Sequence, residues 1–225
     1  MATVAQVNSF LSSIAPIAVS VCKSRARWIL PSVCIAQAAC ESNYGTSKVM
    51  AAANGLFGFK VGRGVKYGTA WKGKSYSTKT KEYYSGYVTI TDNFRSYDSV
   101  KDAVTDYMDL LCSLSRYSAA VNEKDAKKCI TAIKNGGYCT SPTYINTIMK
   151  IINKYNLTQY DREVTGKVGT VEKNTTSTAP ASGNVYAAVA GFCKTQEELT
   201  AFQKQLKDAG MYTQAWEVKA IKKLD

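Results

Sequence analysis

The chain has 225 residues, 45% of them hydrophobic and 20% charged, which is enough for one sizeable core or for one domain with a small appendage. Its 29 Lys and Arg against 17 Asp and Glu leave a formal charge of +12, a surplus that favours polyanionic partners such as nucleic acid, anionic membrane or the acidic polymers of a bacterial wall. There is no histidine, so Ser-His and Cys-His catalytic pairs are excluded, a zinc site would need cysteines or carboxylates alone, and neither a metal nor another cofactor is expected.

The seven cysteines (Cys22, Cys34, Cys40, Cys112, Cys129, Cys139 and Cys193) form no CxxC pair, and an odd number cannot all pair within the chain. Several fall in apolar helical patterns, where a free thiol behaves as a small hydrophobe, and the set reads as that of a protein made in a reducing compartment. An apolar run from Phe10 to Cys22 follows no Lys or Arg and is interrupted by Pro16. It is a poor signal peptide and too short to span a bilayer, so no membrane insertion is expected. A core helix with Val4, Val7, Leu11, Ile14, Ala18 and Val21 on one face is the better reading.

The next stretch, LPSVCIAQAACESNYG at 30–45, organises the rest. Pro31 suits the first turn of a helix and Gly45 suits its end. Between them Cys34, Gln37, Ala38 and Glu41 fall three or four residues apart, placing the Glu41 carboxylate in the last turn along a small, mostly apolar stripe. Burial and the C-terminal end of a helix both disfavour its ionised form, as a general acid near neutral pH requires. The alternative is a carboxylate pointing into water beyond a frayed helix end.

After a small-residue turn, AAANGLFGFK at 51–60, the texture from 61 to 92 becomes Gly, Thr, Lys, Tyr and Trp without helical period. Tyr76, Thr78, Thr80 and Glu82 alternate with Ser75, Ser77, Lys79 and Lys81 as in a strand with one distinct face, and Ser85-Gly86 suits a hairpin turn. Helical texture returns with Ser99 and Asp102 at capping-box spacing ahead of an apolar stripe of Val100, Ala103, Val104, Tyr107, Met108 and Leu111. Asp125 is placed to cap a helix carrying Ala126, Cys129, Ile130 and Ile133 and ended by Gly136-Gly137. Ser141-Pro142 opens another with Ile145, Ile148, Met149 and Ile152. The expected architecture is α+β: a mainly helical domain with a small inserted β-lobe over 1–162.

Residues 163–184 hold few large apolar side chains and read as a flexible linker. Over 185–225 the pattern is strand (185–192), helix (195–209, with Leu199, Phe202 and Leu206 as its buried face) and strand (212–221). Such a βαβ unit is too small to bury much apolar surface alone and is expected to dock, to self-associate or to be marginally stable.

Four motifs then stand in one order: IAQAACESNYG at 35–45, NGLFGFK at 54–60, TKEY at 80–83 and GYCTSPTY at 137–144 before YNL. They resemble IAQAxLESGWG, NLFGIK, TxEY and GYATDPxY of glycoside hydrolase family 73, the N-acetylglucosaminidases of autolysins, flagellar rod-cap proteins and phage lysins. Each is weak alone, whereas four in order at compatible spacings are strong. The resemblance implies a lysozyme-like fold and cleavage of the β-1,4 bond between N-acetylglucosamine and N-acetylmuramic acid in peptidoglycan. It implies Glu41 as catalytic acid, Glu82 as the β-lobe carboxylate and Tyr144 as a cleft tyrosine near the reacting sugar, with Tyr44, Phe57, Gly58, Tyr83 and Tyr138 along the substrate groove. Glycoside hydrolysis uses one carboxylic acid on the leaving oxygen and usually a second carboxylate across the ring, the roles these glutamates would fill.

Residue by residue, plainer readings stand beside these: Glu82 as a solvated strand charge, Tyr144 as a core aromatic, and Tyr83 as either a sugar-stacking ring or a sheet surface. Asn43 and Tyr44 stand where the family has Gly-Trp, and Ser141 stands for an Asp, read as an exchange of one helix cap for another. Residues 186–210 resemble the first half of a sporulation-related (SPOR) repeat, implying glycan binding, with homo-oligomerisation through paired halves as the rival. The absent signal and unpaired cysteines suit a phage endolysin held in the host cytoplasm before release to the wall; a secreted bacterial autolysin lacking its signal would look the same. A lytic transglycosylase of the same shape and a non-catalytic wall-binding or virion structural protein are the alternatives. Nucleic-acid binding is not expected, since charge alone supports it and no base-reading motif is present.

Overall fold

The computed structural model describes residues 2–62, 65–83 and 87–166, with the backbone alone at 81–83 and 87–88. The expected βαβ unit, Cys193 and all of the expected linker beyond Gly166 lie outside the described residues. The described part runs α1 (Val4–Lys23), α2 (Pro31–Glu41), α3 (Lys48–Ala53), β1 (Ser75–Tyr83), β2 (Tyr87–Arg95), α4 (Val100–Ser113), a 3₁₀ turn (Ser115–Ala120), α5 (Ala126–Asn135), α6 (Tyr144–Lys154), a second 3₁₀ turn (Leu157–Asp161) and α7 (Arg162–Thr165). This is the expected mainly helical domain with a two-stranded β-lobe. The helical part continues through Thr165, past the expected boundary at 162 and into the start of the expected linker.

α2 is the centre. Every residue from Pro31 to Ala39 is buried, because Pro, Ser, Val, Cys, Ile, Gln and Ala present no bulky polar group on any face and neighbours can close on it from all round. α1, α5, α6 and the second 3₁₀ turn pack against it. Asp161 reaches from that turn to accept a hydrogen bond from the Ser32 backbone N–H (2.8 Å), satisfying a donor at the start of a helix whose own N-cap, Leu30, offers no side-chain cap.

α1 begins in a capping box between Thr3 and Gln6 and carries Pro16 within it. Val7, Ile14, Ala18 and Val21 face the core as expected, but Phe10 takes a core place and Val4 is 78% exposed. Val4 heads the first turn, ahead of the stretch that packs on α2 and α4. At 20 residues α1 has the length and apolarity of a membrane-crossing helix, extending beyond the apolar run from Phe10 to Cys22 at both ends, and it packs here as a core helix.

β1 and β2 pair antiparallel from Ser75 opposite Arg95 to Tyr83 opposite Tyr87. The foot of this hairpin is tied to the helices by Arg95, whose Nη1 donates to Asp106 of α4 (2.8 Å) while Nη2 donates to the Val65 carbonyl (2.6 Å). The Tyr97 hydroxyl donates to the same Asp106 oxygen (2.8 Å), and the Arg95 guanidinium lies 4.3 Å from the Trp71 ring centre. Ser99 caps α4 and Asp125 caps α5 as expected. α6 starts at Tyr144 after Thr143, without a side-chain cap. Ser141 lies two residues before Thr143, and its hydroxyl accepts from the Thr143 N–H (3.4 Å), so it closes the preceding turn and does not cap the helix.

Candidate active site

Glu41 is the last residue of α2, and the chain leaves the helix abruptly after it. The Ser42 hydroxyl donates to the Ala38 carbonyl (2.6 Å) and accepts from the Gly45 N–H (2.8 Å), folding the chain back on the helix end. Asn43, Tyr44 and Gly45 follow with φ of 49, 54 and 77°, three consecutive left-handed residues. The helix thus stops at Glu41, and Gly45 closes the turn beyond it. This conformation explains a glycine at position 43 in the family motif, and Asn is among the few other residues that tolerate it. Tyr44 pays for it by packing its ring edge-on to Phe10 (6.3 Å) and Tyr155 (6.0 Å).

α6 brings Tyr144 across to Glu41. The Tyr144 hydroxyl donates to Glu41 Oε1 (2.7 Å) and accepts from Gln37 Nε2 (2.9 Å), and Gln37 Oε1 accepts from the Tyr107 hydroxyl of α4 (2.5 Å). Gln37 and Tyr107 are fully buried and Tyr144 is 5% exposed. Aromatic rings wall this chain in. Phe57 stacks on Tyr107 at 4.2 Å between centres, Phe59 lies parallel to Tyr107 at 6.5 Å, and Tyr138 stacks on Tyr144 at 6.1 Å.

The electrostatics follow from this packing. Glu41 keeps surface open to solvent, yet the protein around its carboxyl strips enough water to raise its pKa, with the Tyr144 hydrogen bond opposing the rise. Burial, with Glu41 beside it, raises the pKa of Tyr144 far above the usual phenol range, so the hydroxyl keeps its proton and acts as a donor. Burial likewise raises Tyr138, whose hydroxyl is enclosed without a hydrogen-bond partner. A carboxyl that holds its proton unusually well, faces solvent and is gripped on one oxygen by a neutral hydroxyl is equipped to deliver a proton.

Glu41, Tyr144 and Tyr138 therefore come together. Phe57 is 5% exposed beneath Tyr107, and Gly58 sits next to it at φ 63° with open space where a side chain would go. Tyr44 is half-buried among Phe10 and Tyr155, and burial with the Tyr155 hydrogen bond pushes its phenol up to about 12. Glu82 and Tyr83 lie at the far end of β1, opposite Val88 and Tyr87, and their side chains lie outside the described residues. Gln37, Tyr107 and Phe59 were not expected in the site. Gln37 carried a signal, an uncharged polar group on an otherwise apolar stripe, whereas Tyr107 and Phe59 read as ordinary core aromatics.

Among the described residues no group of three or more Cys, Asp and Glu is placed to hold a metal ion. Burial pushes the Cys22 thiol up to about 12 and Cys34 well above the usual range, so both stay protonated at neutral pH and cannot serve as thiolates.

The exo-glucosaminidase LytG of Bacillus subtilis is 33% identical over 152 residues, 65% of this chain and 51% of LytG. The peptidoglycan hydrolase FlgJ of Vibrio parahaemolyticus is 33% identical over 152 residues, 65% of this chain and 47% of FlgJ. The chain thus spans about half the length of these curated relatives. The crystal structure of the catalytic domain of the autolysin Auto from Listeria monocytogenes superposes with a TM-score of 0.60 at 35% identity, covering 72% of this chain and 90% of that one. Residues 17–157 match the Glucosaminidase family model, described as mannosyl-glycoprotein endo-beta-N-acetylglucosaminidase. That span contains α2, the β-lobe and the Glu41–Tyr144 pair, and the chain belongs to this glucosaminidase family, glycoside hydrolase family 73.

Proposed function

We propose that the protein is a peptidoglycan hydrolase, an endo-β-N-acetylglucosaminidase that cuts the β-1,4 bond between N-acetylglucosamine and N-acetylmuramic acid with Glu41 as general acid. The observation that carries this reading is the Glu41 carboxyl at the end of a buried helix, its pKa raised by desolvation and one oxygen held by Tyr144. Family membership and the relatives named for glucosaminidase and peptidoglycan hydrolase activity support the substrate class. Glu41 protonates the glycosidic oxygen as the bond to the anomeric carbon breaks, and water completes that carbon. Glu82 is assigned the second carboxylate's part, activating the water or countering the charge on the sugar. Tyr138, Phe57, Gly58, Tyr44 and Tyr83 are assigned to the groove. The C-terminal segment is assigned to wall binding or to self-association, and the whole to release onto the wall from a bacterial cytoplasm or to secretion.

The test is mass spectrometry of Gram-positive peptidoglycan digested by the protein, with borohydride reduction to label new reducing ends. Reduced N-acetylglucosamine ends support the proposal. Reduced N-acetylmuramic ends would make the protein a muramidase, anhydro-muramic ends a transglycosylase, and no new ends on walls of several types a binding or structural protein.

A further inference from the structure

Three hydrogen bonds run in series from the core to Glu41, and the carboxylate at their end fixes their direction. An ionised carboxylate only accepts, so the Tyr144 hydroxyl donates to Oε1. Its own oxygen is then left to accept, which puts the Gln37 amide nitrogen toward it. The Gln37 carbonyl oxygen consequently faces Tyr107, whose hydroxyl donates. A single proton arrangement satisfies all three bonds with the carboxylate ionised.

We propose that Gln37 and Tyr107 are positioning residues that keep the Tyr144 O–H aimed at Glu41 Oε1, so that the proton Glu41 passes to the glycosidic oxygen is carried on Oε2. The inference rests on the reading of Glu41 as general acid. Protonation of Glu41 leaves Oε1 as the carbonyl oxygen, still accepting from Tyr144. Moving the acid proton to Oε1 would make Tyr144 turn its own proton to Gln37 and make the Gln37 amide rotate. The Tyr107 O–H, fully buried, would then face an N–H group and lose its acceptor. In the reaction the proton leaves Oε2 for the leaving oxygen, which takes the electron pair of the broken C–O bond, and water supplies the hydroxyl for the anomeric carbon. Glu41 becomes a carboxylate at that moment. The aimed hydroxyl binds that charged product form more strongly than the acid, so the bond gains strength as the proton departs.

The titratable groups close enough to feel the Glu41 charge among the described residues are Tyr144 of α6, Tyr138 of the loop before it and Cys40 of its own helix. Burial raises the pKa of all three, so they keep their protons where Glu41 titrates.

Tyr107→Phe removes one O–H and keeps the ring stacked on Phe57, freeing the Gln37 amide to turn. The Glu41 carboxyl is titrated by ¹³C NMR, its resonance identified by loss in Glu41→Gln, alongside the pH profile of kcat and the KM on a soluble glycan fragment. Tyr107→Phe is expected to raise the Glu41 midpoint, and the alkaline limb of kcat with it, by roughly 0.5–1 pH unit at unchanged KM. Tyr144→Phe is expected to raise the midpoint at least as far, and the double variant no further than Tyr144→Phe alone. Gln37→Leu, which deletes both inner bonds, is expected to shift it in the same direction and serves if Tyr107→Phe does not fold. An unmoved midpoint in Tyr107→Phe or Gln37→Leu, or a double-variant shift equal to the sum of the singles, overturns the proposal. Because the NMR titration needs no turnover, an active Glu41→Gln would defeat the general-acid reading separately from these outcomes.

Discussion

At the scale of single residues, Glu41 is placed by what lies on either side of it. Burial of α2 crowds its carboxyl, and the left-handed run at 43–45 turns the chain back before it can cover the acid. Gly45 is the strictest member of that run, because a Cβ there would lie 2.7 Å from the Phe10 ring in a conformation that L side chains rarely adopt. Gly45→Ala is expected to destabilise the protein by about 2 kcal/mol or more, read as a lower urea midpoint at unchanged slope. A change below about 0.5 kcal/mol would mean that the turn relaxes freely. The glutamate and the glycine were both legible in the sequence. The left-handed Asn43 and Tyr44 were not, since neither residue type demands that conformation and it is the packing of Tyr44 on Phe10 and Tyr155 that sustains it.

At the scale of elements, hydrophobic period and capping residues located most helices, because those signals lie within one turn of the chain. The contacts that fix elements on one another escaped them. Asp161, 129 residues from Ser32, supplies the α2 N-terminus with its acceptor, and burial pushes its carboxyl up to about 6. Its folded pKa lies above the unfolded value near 3.8, so between those values the folded state holds the extra proton and stability falls as pH rises. That loss is complete above the folded pKa. Asp161→Asn keeps an acceptor for Ser32 without the charge, and it is expected to flatten the decline between about pH 4 and pH 7 by on the order of 2 kcal/mol, measured by urea unfolding at several pH values. Parallel pH profiles for the two proteins would contradict this. Arg95 and Asp106, eleven residues apart in sequence, are buried to 4% and 0% exposure where the hairpin meets α4. Asp106→Asn strands the guanidinium and is expected to cost about 3–5 kcal/mol. A cost below about 1 kcal/mol would mean that the guanidinium finds water.

At the scale of the whole molecule, the formal charge of +12 gives an acidic polymer a long-range attraction that salt screens. Cleavage of intact walls is expected to slow as ionic strength rises from about 0.01 M to about 0.15 M, where the screening length falls from about 30 Å to about 8 Å, while cleavage of a short glycan fragment, which carries only a few carboxylates, changes much less. Equal salt dependence on both substrates would place the effect in the active site. Glu41 is proposed to donate the proton that breaks the glycosidic bond. That role is measured most directly by the initial rate of bond cleavage in purified peptidoglycan by Glu41→Gln against the unmodified chain, with matched circular dichroism and melting temperature. Glu41→Gln is expected to lose about 10²–10⁴-fold or more in rate with folding intact, and a folded Glu41→Gln that cleaves at the unmodified rate would mean that another group supplies the proton.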